Sequence, residues 1–131
     1  MKKPAFDSLH PFIKGYFQAA IFTELPDRMS RPGDIRERFD FAAAWNSMTR
    51  RDQIELIKYC DDFREANAEN LTDYPDEDAG QDFWLTRNGH GCGFWENDHG
   101  TPEQCKALAE AARVYGSAYL ERYKGHWTYH E

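Results

Sequence analysis

The stretch "DFWLTRNGHGCGFWE", residues 82–96, sets Phe83-Trp84 and Phe94-Trp95 on either side of a segment holding three glycines, a histidine and a cysteine. Its reading decides the fold. Alternation places Phe83, Leu85 and Arg87 on one side of an extended strand and Asp82, Trp84 and Thr86 on the other. Asn88-Gly89 is a favoured reversal pair, and Gly91 and Gly93 could widen the connection or add a bulge. The stretch therefore predicts a β-hairpin, with Phe94 and Trp95 on the returning strand and the aromatic pairs facing each other as core.

Downstream, "TPEQCKALAEAARVYG" carries a full set of helix signals. Thr101 is the N-cap, Pro102 fills the first turn and Gln104 completes a capping box. Cys105, Leu108, Ala112 and Tyr115 supply its apolar stripe, and Gly116 ends it. The segment "AYLERYKGHWTYHE" alternates as a second hairpin turning at Lys124-Gly125.

Upstream, Thr49 opens a helix with Asp52 three residues on, a partial capping box, and Leu56, Cys60 and Phe63, with Ile57 and Ala66, form its stripe. Asn67 and Asn70 mark its end. A second helix is expected over "DIRERFDFAAAWNSM", with Phe39, Ala42, Ala43 and Trp45/Asn46 inward; an extended segment also fits. "SLHPFIKGYFQAAIFTEL" forms the first helix. Its stripe is Phe12, Tyr16, Ala19 and Thr23 flanked by Ile13, Phe17 and Ala20, and Gly15 is its weak point. The expected class is α+β: N-terminal helices, then a β-hairpin, a helix and a β-hairpin, giving a small antiparallel sheet packed on helices. At 131 residues the chain suits a single domain over 1–131, with 1–9 and about 26–34 as flexible segments.

Nine Phe, seven Tyr and four Trp can anchor a small core although the mean hydropathy is −0.86. No apolar run reaches the roughly 20 residues that cross a bilayer, and "MKKPAFDSLHPF" has no apolar region behind its basic start. With three cysteines in no framework spacing, the expectation is a cytoplasmic protein with reduced thiols. The net charge of −7 is concentrated. Residues 51–100 carry thirteen Asp/Glu against four Lys/Arg, while residues 1–50 carry six against eight. Such a segment repels phosphate backbones, which argues against nucleic-acid binding through that face. It reads either as a solvated surface or as one that imitates phosphates and meets a basic partner.

Catalytic patterns are scarce. His90, Cys92, His99 and Cys105 match no common zinc spacing, and Cys105 falls on an apolar stripe, so no metal or cofactor is expected. Cys92 near His90 lacks the surroundings of a nucleophile. Phosphate-loop, nucleophile-elbow, zincin and dinucleotide patterns are absent, and "DEDAGQD" is not an EF-hand loop. The expectation is no enzyme. Arg87, Asn88 and His90 could clamp an anion at the hairpin tip, although Asn and Gly already suit a turn there.

The same residues carry a resemblance. "DAGQDFWLTRNGHGCGFWEN", followed by a helix ending in "YG" and a final hairpin, resembles a family of small uncharacterised proteins encoded by bacteriophages and prophages. The family's motif runs D-F-W-x-T-R-N-x-H-G-x-G-F-W-D. Asp82, Phe83, Trp84, Thr86, Arg87, Asn88, His90, Gly91, Gly93, Phe94 and Trp95 carry it here, and Glu96 replaces the final Asp. Cys92 falls where the family would have a small residue such as Ala. "GYFQAAIF" and "YCDDFREANAENL" are similar to two further family helices, so the resemblance covers most of residues 10–131 except about 26–46.

The resemblance implies a phage or mobile-element accessory protein and carries no catalytic residues. With the acidic segment, it points to binding of a host protein or nucleoprotein complex with a basic surface, of anti-CRISPR or anti-restriction type. Asp61, Asp62, Glu65, Glu69, Asp73, Asp76, Glu77 and Asp78 are the candidate contact face, with Trp84 or Trp95 as aromatic anchors. The alternatives are a small-ligand or nucleotide-binding domain with an anion site at residues 87–90, and a virion or DNA-packaging component.

Overall fold

The computed structural model describes residues 4–24, 39–96 and 99–131. Among these residues, five helices and one two-stranded antiparallel sheet make an α+β fold: α1 (Pro11–Glu24), α2 (Phe41–Ser47), α3 (Arg50–Ala66), α4 (Asp76–Arg87), α5 (Pro102–Val114), β1 (Tyr119–Tyr123) and β2 (His126–His130). Single 3-10 turns lie at Phe6–Ser8 and Phe94–Glu96.

The opening stretch is the main correction. Residues 82–87 are not a strand; they complete α4, which starts at Asp76. The acidic "DED" is the helix's first turn, where three carboxylates favour the positive end of the helix dipole. Asn88-Gly89 reverses the chain, but as a helix stop. The Gly89 amide donates to the Thr86 carbonyl and the His90 amide to that of Leu85, a Schellman pair made possible by Gly89 at φ +69°. Phe94 then returns on a 3-10 turn. Three of the four aromatics are core: Phe83, Trp84 and Phe94 are buried, while Trp95 is 45% exposed.

Periodicity misleads here because α4 is enclosed on more than one side. Phe83, Trp84, Thr86 and Arg87 are all buried, so the helix shows no one-sided stripe to mark its period. Its principal neighbour is α1. Phe63 of α3 stacks on Phe83 at 4.1 Å, Phe12 of α1 lies 6.0 Å from the same ring, and Tyr16 meets Trp84 edge-on at 5.2 Å. These contacts form the centre of the core.

Elsewhere the local signals act as expected. Thr101 and Gln104 form the reciprocal capping box of α5. Thr49 caps α3 by accepting from the Asp52 amide, but the Asp52 carboxylate does not turn back. It accepts instead from the amide of Tyr129 in β2. Ser47 of α2 likewise accepts from the Trp127 amide, so side chains of α2 and α3 cover the outer amides of β2. The hairpin pairs Tyr119 with His130 and turns at Lys124-Gly125.

Smaller corrections concern the N-terminal half. Helix α2 begins at Phe41. Ala44 and Trp45 are buried in it, and Ala43 and Asn46, expected inward, are exposed. Ala66, placed on the α3 stripe, is exposed as well. Residues 4–9, expected to be loose, are docked: Phe6 and Leu9 are buried and the Trp45 indole donates to the Pro4 carbonyl. The flexible segment expected at about 26–34 lies outside the described residues, as does the N-terminal part of the second predicted helix.

Candidate functional site

Thr86, Arg87 and Asn88 close α4, and each ties that end to a later part of the chain. The Thr86 hydroxyl accepts from the Phe94 amide at 3.0 Å. Asn88 donates through Nδ2 to the Trp84 carbonyl and accepts through Oδ1 from the Ala118 amide at 2.8 Å. Arg87 reaches furthest. Its Nε donates to the Gly116 carbonyl at 2.8 Å and its Nη1 to the phenol oxygens of Tyr16 at 2.9 Å and Tyr129 at 3.3 Å. Its Nη2 donates to the Tyr115 carbonyl at 3.0 Å and to Glu131 Oε2 at 2.7 Å. All five N–H donors of the guanidinium are therefore engaged.

This is a cage. The Arg87 side chain is fully enclosed, and the rings of Tyr59, Phe83 and Tyr115 stand 5.4, 5.6 and 5.7 Å from its charge centre. Burial works against the charge, but the oxygens of Tyr16, Tyr129 and Glu131 outweigh it, so its pKa lies above that of an ordinary arginine. Burial also pushes the Tyr16 and Tyr129 phenols far above the usual tyrosine range. Both stay protonated and act as donors. The two hydroxyls lie 2.8 Å apart, and Tyr129 donates onward to Glu131 Oε1 at 3.1 Å. The protons are consistent: Tyr16 gives to Tyr129, Tyr129 gives to Glu131, and Arg87 gives to all three.

An anion clamp of Arg87, Asn88 and His90 at residues 87–90 therefore has no uncommitted Arg87 donor. His90 is exposed beyond the helix stop, while Arg87 points the other way, into the cage. Trp84, considered as an interface anchor, is 1% exposed and donates through Nε1 to the Thr23 hydroxyl. Trp95 remains at the surface. Tyr16, Tyr129 and Glu131 had no sequence signal as partners of Arg87. A tyrosine on an apolar stripe reads as core, and the three lie 71, 42 and 44 residues from Arg87 in the chain.

The acidic candidates form a second region. Asp61, Asp62 and Glu65 lie on the second half of α3, Glu69 and Asp73 on the following turns, and Asp76, Glu77 and Asp78 on the first turn of α4. Asp62, Glu65, Glu69, Asp73, Asp76 and Glu77 are exposed. Asp61 pairs with Arg64 at 3.2 Å, and His99 lies 3.2 Å from Asp78. An open groove of about 530 Å³ brings Asp61, Glu65 and Asp76 to one place, around Arg64, Ala68 and Leu71.

The thiols and imidazoles do not converge. Cys60 is buried on α3, and burial raises its pKa well above the usual thiol value. Cys105 is buried on α5 with its Sγ–H donating to the His99 carbonyl. Among the described residues, no group of three or more His, Cys, Asp or Glu side chains stands ready to hold a metal ion, and no helix is long and apolar enough to cross a membrane. No family profile, curated protein or solved structure matches the chain.

Proposed function

We propose that this chain is a phage or mobile-element accessory protein that works in the bacterial cytoplasm by binding a host protein or nucleoprotein complex, without chemistry of its own. Its acidic face stands in for nucleic-acid phosphates and occupies a Lys/Arg-lined channel, as in inhibition of a CRISPR or restriction complex. One observation carries the reading: six of the eight candidate carboxylates are exposed along one continuous run from α3 through the turns into α4. Among the described residues none of these six has a Lys or Arg partner within 4 Å; the His10 imidazole lies 4.0 Å from Asp76. Exposed, unneutralised carboxylates steer association with a basic surface and lose their effect as salt rises. The exposed Trp95 supplies an aromatic contact of the kind that anchors protein interfaces.

The test is affinity capture from the host cell at low and high salt, comparing the native chain with a variant in which Asp62, Glu65, Glu69 and Asp73 are all Lys. The expected result is a nucleic-acid-handling complex that the native chain retains at low salt and that the variant loses. Retention of the same complex by the variant would sink the mimicry.

A further inference from the structure

The Arg87 cage holds a carboxylate, and that carboxylate comes from the chain itself. Glu131 directly follows β2. Its side chain is a quarter exposed, whereas Arg87 beneath it is fully enclosed. Each oxygen has its own donor: Arg87 Nη2 at 2.7 Å from Oε2, and the Tyr129 hydroxyl at 3.1 Å from Oε1. Two donors from two elements, aimed at the two oxygens of one carboxylate, make a clamp specific in both charge and shape.

The clamp does not depend on Glu131 for its own geometry. The other bonds of Arg87 run to Tyr16, Tyr129 and the carbonyls of Tyr115 and Gly116, and Tyr129 is held by Tyr16. Removing the Glu131 side chain would leave one guanidinium N–H and one phenol O–H facing the vacated volume. It would also leave a buried positive charge without its only ion-pair partner among the described residues. An unpaired buried charge is costly, so the vacancy attracts an anion of the same kind.

We propose that the Arg87–Tyr129 clamp is a binding site for small free carboxylates, which compete with the Glu131 side chain for it. The exchange swaps one carboxylate for another, so it preserves every donor–acceptor count in the cage. Its cost is the release of one side chain at the end of the hairpin. The site uses Arg87 without the exposed His90, and it is independent of the acidic-face reading.

The experiment uses acetate as the probe and the full chain in three forms: native, Glu131→Ala and Glu131→Gln. Thermal midpoints are followed in acetate, in chloride of equal ionic strength and in the neutral isostere acetamide, and acetate binding is followed by ligand-observed NMR. In Glu131→Ala, acetate should raise the midpoint saturably where chloride and acetamide do not. If that variant folds only with acetate present, the rescue itself is the readout, and Glu131→Gln supplies a variant of native size for the binding measurement. The native chain should bind acetate about tenfold or more weakly than Glu131→Ala, because the tethered carboxylate competes at high effective concentration. Adding Tyr129→Phe to Glu131→Ala should weaken acetate several-fold by removing one of the two donors. The proposal is overturned if acetate acts no differently from chloride on both variants, or if the native chain binds it as tightly as they do.

Discussion

Gly80 of α4 lies directly on the backbone of Phe12 in α1. A Cβ built on Gly80 would stand 2.8 Å from the Phe12 carbonyl carbon and 2.9 Å from the Tyr16 nitrogen. Gly15 of α1 makes the reciprocal approach, its notional Cβ lying 2.9 Å from the Glu77 carbonyl carbon. The two glycines let the helices touch backbone to backbone. That contact brings Tyr16 within reach of Arg87.

The same contact sets the sign of a substitution. Alanine gains about 1 kcal/mol over glycine by helix propensity alone. Forcing a methyl against backbone that cannot rotate away costs about 1–3 kcal/mol or more. Gly80→Ala and Gly15→Ala should therefore each destabilise the fold, by up to about 2 kcal/mol or more in urea unfolding. A stabilised variant would mean that the helices separate freely.

Arg87 should tolerate no replacement. Arg87→Met removes the fork and takes the arginine's donors from the Glu131 carboxylate, two phenols and two carbonyls, a loss of about 3–5 kcal/mol for a broken buried pair. Arg87→Lys keeps the charge, but three ammonium donors cannot span five directions, so it should recover only part of that loss. Urea midpoints for both variants check this, and a loss below about 1 kcal/mol for Arg87→Met would show that the cage contributes little.

How much of this was legible depended on how local each signal was. The capping box of Thr101 and Gln104 and the turn at Lys124-Gly125 are settled within four residues, so the sequence alone places α5 and the final hairpin. Helix α4 is different. Its partners are α1, α5 and the 3-10 turn at Phe94, and burial on several sides erased the periodicity that would have marked it. Asn88-Gly89 offered no arbitration, because a left-handed glycine serves a hairpin turn and a Schellman stop equally well. Gly15 shows the opposite case. It reads as a defect in α1 until the crossing with α4 gives it a purpose. For the candidate site, the acidic positions could be read directly, whereas the Arg87 cage could not: its partners are scattered phenols and backbone carbonyls that no spacing rule connects.

High pH should open the cage. Tyr16 and Tyr129 have folded pKa values raised above the unfolded value of 10.0, chiefly by burial. The folded state therefore holds protons that the unfolded chain releases. The stability they contribute is intact below about pH 10 and falls as pH rises beyond it, by up to about 1.4 kcal/mol per pH unit for each phenol. The last of the phenolate absorbance, from the buried phenols, should then appear together with the loss of helical circular dichroism as the pH climbs. Complete ionisation of all seven tyrosines with the helix signal intact would contradict this picture.

Lys124 offers a change in the stabilising direction. It sits at φ +49° and Gly125 at +82°, a two-residue turn that demands left-handed backbone at both positions. A lysine there pays a steric cost that asparagine largely avoids. Against this stands the contact of Lys124 Nζ with the Tyr123 ring at 5.3 Å. Tyr123 is 62% exposed, so that contact contributes about 0.5 kcal/mol at most. The backbone cost, about 1 kcal/mol for a side chain held in the left-handed region, is the larger of the two. Lys124→Asn should therefore stabilise the chain by about 0.5 kcal/mol in urea unfolding. Lys124→Ala, which loses the ring contact and keeps the strain, should destabilise it. If the asparagine variant fell below the native chain as well, the ring contact would outweigh the turn.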